Sequence, residues 1–272
     1  MSTAAKDRKQ ATPKPGTHRT DAITDVALTM PIFVAYHLGV VFLPVRNAAD
    51  VVTSRLAGFA EHSKLAYMGL TAGIGAAVVI GLLATGQREK MRFTSFGLVA
   101  VEGVLYAMTM RYVAGAVTAA LPLVGGGAGE GDLLTSVTMS LGAGFYEELA
   151  FRLVAFGLGA RFLLAIDDWP KWAVYPLWGI VCATAFSGWH HLGAMGEPFA
   201  LHPFVFRTVC GLAFTLIYGF RGFAPAVWTH ALYDLWVMAL LSLPRPPPER
   251  LQESVLGGKK RDSHPPLGSK VR

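Results

Sequence analysis

Glu147, Glu148 and Arg152 stand in the stretch GAGFYEELAFRL, His190 and His191 in AFSGWHHLG, and His230 and Asp234 in PAVWTHALYDLW. Carboxylates and imidazoles are the side chains that take and return protons during hydrolysis. All seven lie in long apolar runs. A charge or imidazole at membrane depth is costly and faces a cavity or a partner.

Spacing divides the work among them. Glu148 and Arg152 are four apart and share a helix face, which permits an ion pair. Glu147 is turned about 100° from Glu148 on an α-helix, so both can border one cavity. Adjacent carboxylates in low dielectric resist double ionisation, so one can hold a proton while the other accepts one from water. That makes Glu147 the general-base candidate and leaves Glu148 for Arg152. The competing reading is a buried ionic staple, although two acids against one arginine leave an excess negative group.

His190 shares a face with Phe186, whereas His191 points about 100° away and suits the headgroup level near Trp189. His230 and Asp234 are four apart, so the aspartate can accept the imidazole N–H and fix its tautomer. A simple intrahelical hydrogen bond is the alternative. His37 is expected to be a packing or interfacial residue. His18 and His264 fall in the polar tails, and His62 and His202 in connections. Cys182 and Cys210, both in apolar runs, read as small core side chains.

The elements that must position these groups are membrane helices. The chain has 272 residues and is 53% hydrophobic. Its charged fraction of 15% is well below the roughly 25% of soluble domains. The net charge of +6 is concentrated in basic ends, the usual flank of apolar runs rather than a nucleic-acid surface. The opening segment is too polar for a signal peptide. Residues 1–21 are expected to be a disordered basic tail, 22–243 one transmembrane domain with its site-bearing core at 134–240, and 244–272 a polar basic tail.

Seven apolar runs are legible: about 22–44, 64–84, 93–124, 133–166, 172–193, 203–220 and 224–243. Pro31 is tolerable in the first as a kink. Residues 45–63 suggest an interfacial helix. The third run exceeds the roughly 20 residues one crossing needs, with Arg111 as an interface marker before a second short element. Asp132 is a candidate cap for the fourth run. The fold class is therefore an all-α polytopic membrane bundle of seven or eight transmembrane segments around a hydrated cavity. The basic 86–92 loop and acidic 125–132 loop favour a cytoplasmic N-terminus.

The ordered motifs resemble the CPBP family, the glutamate-dependent intramembrane endopeptidases related to the eukaryotic CAAX prenyl endopeptidase and also called Abi proteins. EExxxR is matched by Glu147, Glu148 and Arg152, and FxxxH by Phe186 and His190. The third motif, His followed four residues later by Asn or a related polar residue, is matched by His230 and Asp234. The likeness covers roughly 134–240. It implies a conical interior cavity in which Glu147 and His190 activate water. His230 and residue 234 would stabilise the tetrahedral oxyanion, with Glu148 and Arg152 organising the site. Asp234 departs from the Asn form, because ionised Asp cannot donate to an oxyanion. It must either be protonated or leave donation to His230.

The expected function is an intramembrane endopeptidase acting on a membrane-associated or lipidated peptide substrate, with membrane lipids and no nucleic acid as partners. A CAAX-type substrate and a bacterial inner-membrane location follow by analogy with the family. No cofactor is required, although Glu147, His190 and His230 could supply three zinc ligands. The absence of HExxH gives that variant no support. The alternatives are a non-proteolytic scaffold or immunity factor and a proton-coupled transporter.

Overall fold

The computed structural model describes residues 22–43, 45, 47, 49–50, 63–84, 93–121, 133–193 and 196–241. The terminal tails, Asp132 as a cap and most of the suggested interfacial helix lie outside these residues.

Seven helical runs account for nearly all of the described chain. They are α1 (Ala22–Phe42), α2 (Lys64–Ala84), α3 (Phe93–Thr118), α4 (Leu133–Ile166), α5 (Lys171–Trp189), α6 (Leu201–Arg221) and α7 (Phe223–Leu241). Pro31 sits within α1 and Pro176 within α5. No strand occurs among the described residues, as the apolar runs imply.

The outer surface is apolar. Leu98 is 70% exposed, Leu177 63% and Phe220 67%. Side chains of this kind around the whole bundle suit hydrocarbon rather than water. α1, α3, α4 and α6 are long and apolar enough to cross a membrane by length and composition, and α2 holds a shorter apolar stretch, Leu65–Gly81. This chain is an integral membrane helical bundle, but the count of four such helices among the described residues is lower than the seven or eight segments expected. α5 and α7, at 19 residues each, carry Lys171 and Pro176, or His230 and Asp234. These residues lower the mean hydropathy of the helices that build the site.

The third run is not split. α3 continues through Arg111 as one helix of 26 residues, about 39 Å at 1.5 Å per residue. The guanidinium of Arg111 instead lies 5.4 Å from the ring of Trp236 on α7.

Neighbouring runs alternate in direction. Asp25, in the first turn of α1, accepts a 2.7 Å hydrogen bond from the Phe223 N–H at the start of α7, so these starts lie together. Leu28, Val99 and Ala224 bring the early part of α3 to the same end. Gly39, late in α1, meets Thr138, early in α4. Gly222, at φ 109°, makes the one-residue turn between α6 and α7, a conformation glycine adopts without a Cβ penalty.

α7 is the central helix. Ala224, Ala226, Val227, Thr229, His230 and Ala231 are all buried, so neighbours surround most of its circumference. Gly103 lets α3 approach the backbone of Trp228 and Thr229. Gly144 does the same for α4: a Cβ there would lie 2.6 Å from the Cβ and 2.7 Å from the nitrogen of Ala231. Small residues at such crossings are how apolar helices pack closely. This crossing sets Glu147 of α4 opposite His230 of α7.

Candidate active site

The middle of α4 is π-helical, over Ala143–Glu147 and Leu149–Leu158. In this winding the backbone bonds run i→i+5, and the form concentrates at functional sites. The α-helical angle inferred from sequence therefore does not apply at the glutamates. Outside groups support the widened turns. Trp178 Nε1 donates to the Ala155 carbonyl at 2.8 Å. A side chain at Gly157 would meet the Tyr218 hydroxyl.

From this segment the two carboxylates reach different partners. Glu148 is fully buried. One of its oxygens lies 2.7 Å from His230 Nδ1, and the other 3.3 Å from Arg152 Nε. Arg152, 1% exposed, donates from Nη2 to the Gly211 carbonyl at 3.3 Å. Its guanidinium carbon lies 4.2 Å from the ring centre of Phe186 and 5.0 Å from that of Phe214. Aromatic faces attract such a cation where no water can solvate it. Glu148 thus hydrogen-bonds His230 and pairs in charge with Arg152, whereas the sequence assigned it to Arg152 alone.

Glu147 faces the histidines. Its Oε2 lies 3.8 Å from His190 Nε2 and 3.9 Å from His230 Nε2. These separations exceed a direct hydrogen bond and match a gap that one oxygen atom can bridge. Its Oε1 accepts a 3.1 Å hydrogen bond from Asn47 Nδ2.

The ring orientations follow from the Nδ1 partners. His190 Nδ1 lies 3.0 Å from the Phe186 carbonyl, which can only accept, so Nδ1 carries the hydrogen. Neutral His190 therefore presents a lone pair at Nε2, on the side of Glu147. His230 likewise gives Nδ1–H to Glu148. Its plane is held by Phe214, stacked at 4.5 Å between ring centres and 18° between planes. Phe186 packs edge-on against both imidazoles, at 5.1 Å from His190 and 5.8 Å from His230.

Asp234 lies on the Nε2 side of His230, at 3.6 Å. The carboxylate within hydrogen-bonding distance of His230 is Glu148, so the orienting contact expected of Asp234 comes from α4. His191 is turned away. Its Nδ1 meets the Glu197 carbonyl at 3.1 Å, and its ring packs on Phe199 and Phe204. Cys182 and Cys210 are buried thiols, not a disulfide.

A cavity of about 850 Å³ joins these groups. Glu147, His190, His230 and Asp234 line it, together with Arg111, Arg207 and others. His202 also lines it from the first turn of α6 rather than from a connection. Among the described residues no group of three His, Cys, Asp or Glu is arranged to hold a metal ion. No step below passes through a metal.

Several contributors are not evident from sequence. Phe214 and Gly211 lie in an apolar run with no motif. Asn47 and Asp50 sit in a mixed connection, yet are 7% and 1% exposed. Tyr36 donates its hydroxyl hydrogen to Asp50 at 2.9 Å and accepts the Asn47 backbone N–H at 3.0 Å. His37 is indeed packed, but as the centre of a tyrosine pair. Its Nδ1 lies 2.6 Å from the Tyr67 hydroxyl and its Nε2 2.8 Å from that of Tyr146. The usable signal was a tyrosine–histidine pair at membrane depth in the first run.

The structure is thus a helical membrane bundle with a buried carboxylate–imidazole cluster opening on a cavity. The family model described as Type II CAAX prenyl endopeptidase Rce1-like matches residues 129–236. That match covers less than half of the chain and supports its assignment to the CAAX protease family that its motifs resemble. No curated protein and no solved structure matches it. The match supports CAAX-type intramembrane protease activity in general.

Proposed function

We propose that this protein hydrolyses a peptide bond of a membrane-associated substrate with a water activated jointly by Glu147 and His190. The carrying observation is the pair of Nε2 atoms within 4 Å of one carboxylate oxygen on a cavity wall. A water bridging Glu147 Oε2 and His190 Nε2 gives one hydrogen to each as hydrogen bonds, leaving a lone pair for the substrate carbonyl. As the oxygen attacks, its proton passes to the Glu147–His190 pair. It is then delivered to the departing amine as the C–N bond breaks.

The negative charge formed on the carbonyl oxygen falls to His230. Its Nδ1–H is committed to Glu148, so donation from Nε2 requires the imidazolium. Glu148 lies 2.7 Å from Nδ1 and Asp234 3.6 Å from Nε2, so the ring has a carboxyl group at each nitrogen. Asp234 supports the donor in this reading and does not donate itself, which accommodates the carboxylate where the family motif has Asn. Shielding by Phe186 and Phe214 strengthens the interaction relative to water.

Peptide termini produced in membranes with the wild-type chain and with Glu147→Gln, compared by mass spectrometry, test the reading. Termini present with wild type and missing with the variant are expected, at equal levels of folded protein. Identical profiles with substrate present would count against proteolysis here. The substrate sequence, its lipidation, a bacterial inner membrane and a cytoplasmic N-terminus remain parts of this proposal.

A further inference from the structure

The general-base candidate has two oxygens, and only one faces the histidines. We propose that Asn47 is a positioning residue that fixes Glu147 in this orientation. The inference rests on the reading of Glu147 as the group that activates water. It adds a part of the machinery from outside residues 129–236, the segment matched by the family model.

The amide of Asn47 is fixed before it meets the carboxylate. Its Oδ1 accepts the Ala49 backbone N–H at 2.8 Å, closing a local turn of the kind Asn forms with backbone two residues on. That contact settles which end of the amide is oxygen, since an N–H can only donate. The NH₂ group therefore faces Glu147, and Nδ2 donates to Oε1 at 3.1 Å. The Asn47 backbone N–H is anchored on the Tyr36 hydroxyl, which is itself tied to Asp50. Tyr36 is fully buried on α1, so the support is attached to a packed helix rather than to a loose connection.

Without this donor the carboxylate can swing about its terminal bond, away from the angle that aims one oxygen at both histidines. Terminal carboxylate torsions are broad and nearly two-fold. With it, Oε1 is occupied and Oε2 alone is presented to the two Nε2 atoms. Asn47 does not line the cavity and so does not touch substrate. Its influence passes through Glu147.

The two uses of the amide can be separated. Asn47→Ser keeps an oxygen that the Ala49 N–H can bond in a local turn, but is too short to reach Glu147 and sets no second carboxyl group beside it. Asn47→Ala removes both contacts. The probe is a quenched fluorescent peptide copied from a cleavage site that disappears in Glu147→Gln membranes, and the full chain is assayed in liposomes. A positioning role predicts that Asn47→Ser lowers kcat about 10- to 100-fold, the scale of a misplaced catalytic group. KM stays within about twofold and the unfolding transition in detergent is unchanged, because the substrate wall and the local turn are retained. Asn47→Ala lowers both kcat and the unfolding temperature. Wild-type kcat in Asn47→Ser, or a loss matching the loss of folded protein, overturns the inference while leaving Glu147 as the base. Membranes showing no Glu147-dependent cleavage overturn the parent reading, and this one with it.

Discussion

His37 and His230 are both buried, at 3% and 4% exposure, yet their surroundings differ in kind. His37 has a tyrosine hydroxyl within hydrogen-bonding distance of each ring nitrogen. His230 has one nitrogen committed to Glu148, and the other faces two carboxylates 3.6 and 3.9 Å away across a cavity. A fully satisfied polar cluster joins helices and has nothing left to react. A cluster with atoms held just beyond bonding range, beside space for a substrate, has capacity for chemistry. The difference shows that burial of a titratable group is not itself a sign of activity; the state of its second nitrogen is the better guide.

Glu147→Gln should break the contrast most severely. It keeps the acceptor for Asn47 but removes the proton-accepting oxygen, so cleavage should fall by about 10³-fold or more, as when a principal catalytic group is lost. Tryptophan fluorescence on heating in detergent should show a wild-type fold.

Gly144→Ala acts on the same cluster through packing. Its new Cβ would meet Ala231 backbone atoms at 2.7 and 2.8 Å, so α4 and α7 must part. Overpacking of this kind destabilises by about 1–3 kcal/mol. The displaced glutamate should lower cleavage of folded protein by about 100-fold. Denaturation and turnover measured on one sample distinguish the two losses.

Tyr67→Phe probes the satisfied cluster. It strands His37 Nδ1 and should cost about 1–3 kcal/mol of stability, the range for a buried group left without a partner. Cleavage by the surviving folded protein should stay at wild-type level. A selective loss of turnover would show that the His37 cluster serves the reaction and would erase the distinction drawn above. His191→Ala, beside His190 in sequence but bonded to the Glu197 carbonyl, should change turnover by no more than about twofold.

The helices were legible because their apolar runs exceed any polar interruption, and the site because charges in those runs need a reason. Glu147, His190 and His230 could be brought to one cavity from that argument alone. The winding of α4 could not, since nothing in GAGFYEELAFRL distinguishes i→i+5 from i→i+4 bonding. Nor could the allocation of Glu148. Spacing paired it with Arg152, while its bond to His230 depends on how α4 crosses α7 at Gly144. Asn47 escaped because a lone amide in a mixed connection resembles a surface residue until its burial is known. The crossing count was overestimated because long apolar runs were counted directly. Lys171 and Pro176 in α5, and the inward His230 and Asp234 in α7, make those helices less apolar on average than the others.

Arg152 lies 1% exposed between two phenyl rings, so dissolved ions have no approach to it. Added salt screens accessible charges within a few ångströms but leaves enclosed ones nearly untouched. Turnover should therefore be nearly flat as potassium chloride is raised, with any drift traced to Arg207 and Glu197, whose 2.6 Å pair sits partly open to solvent at the cavity. The guanidinium at the centre of this bundle is insulated from the ionic composition of its surroundings.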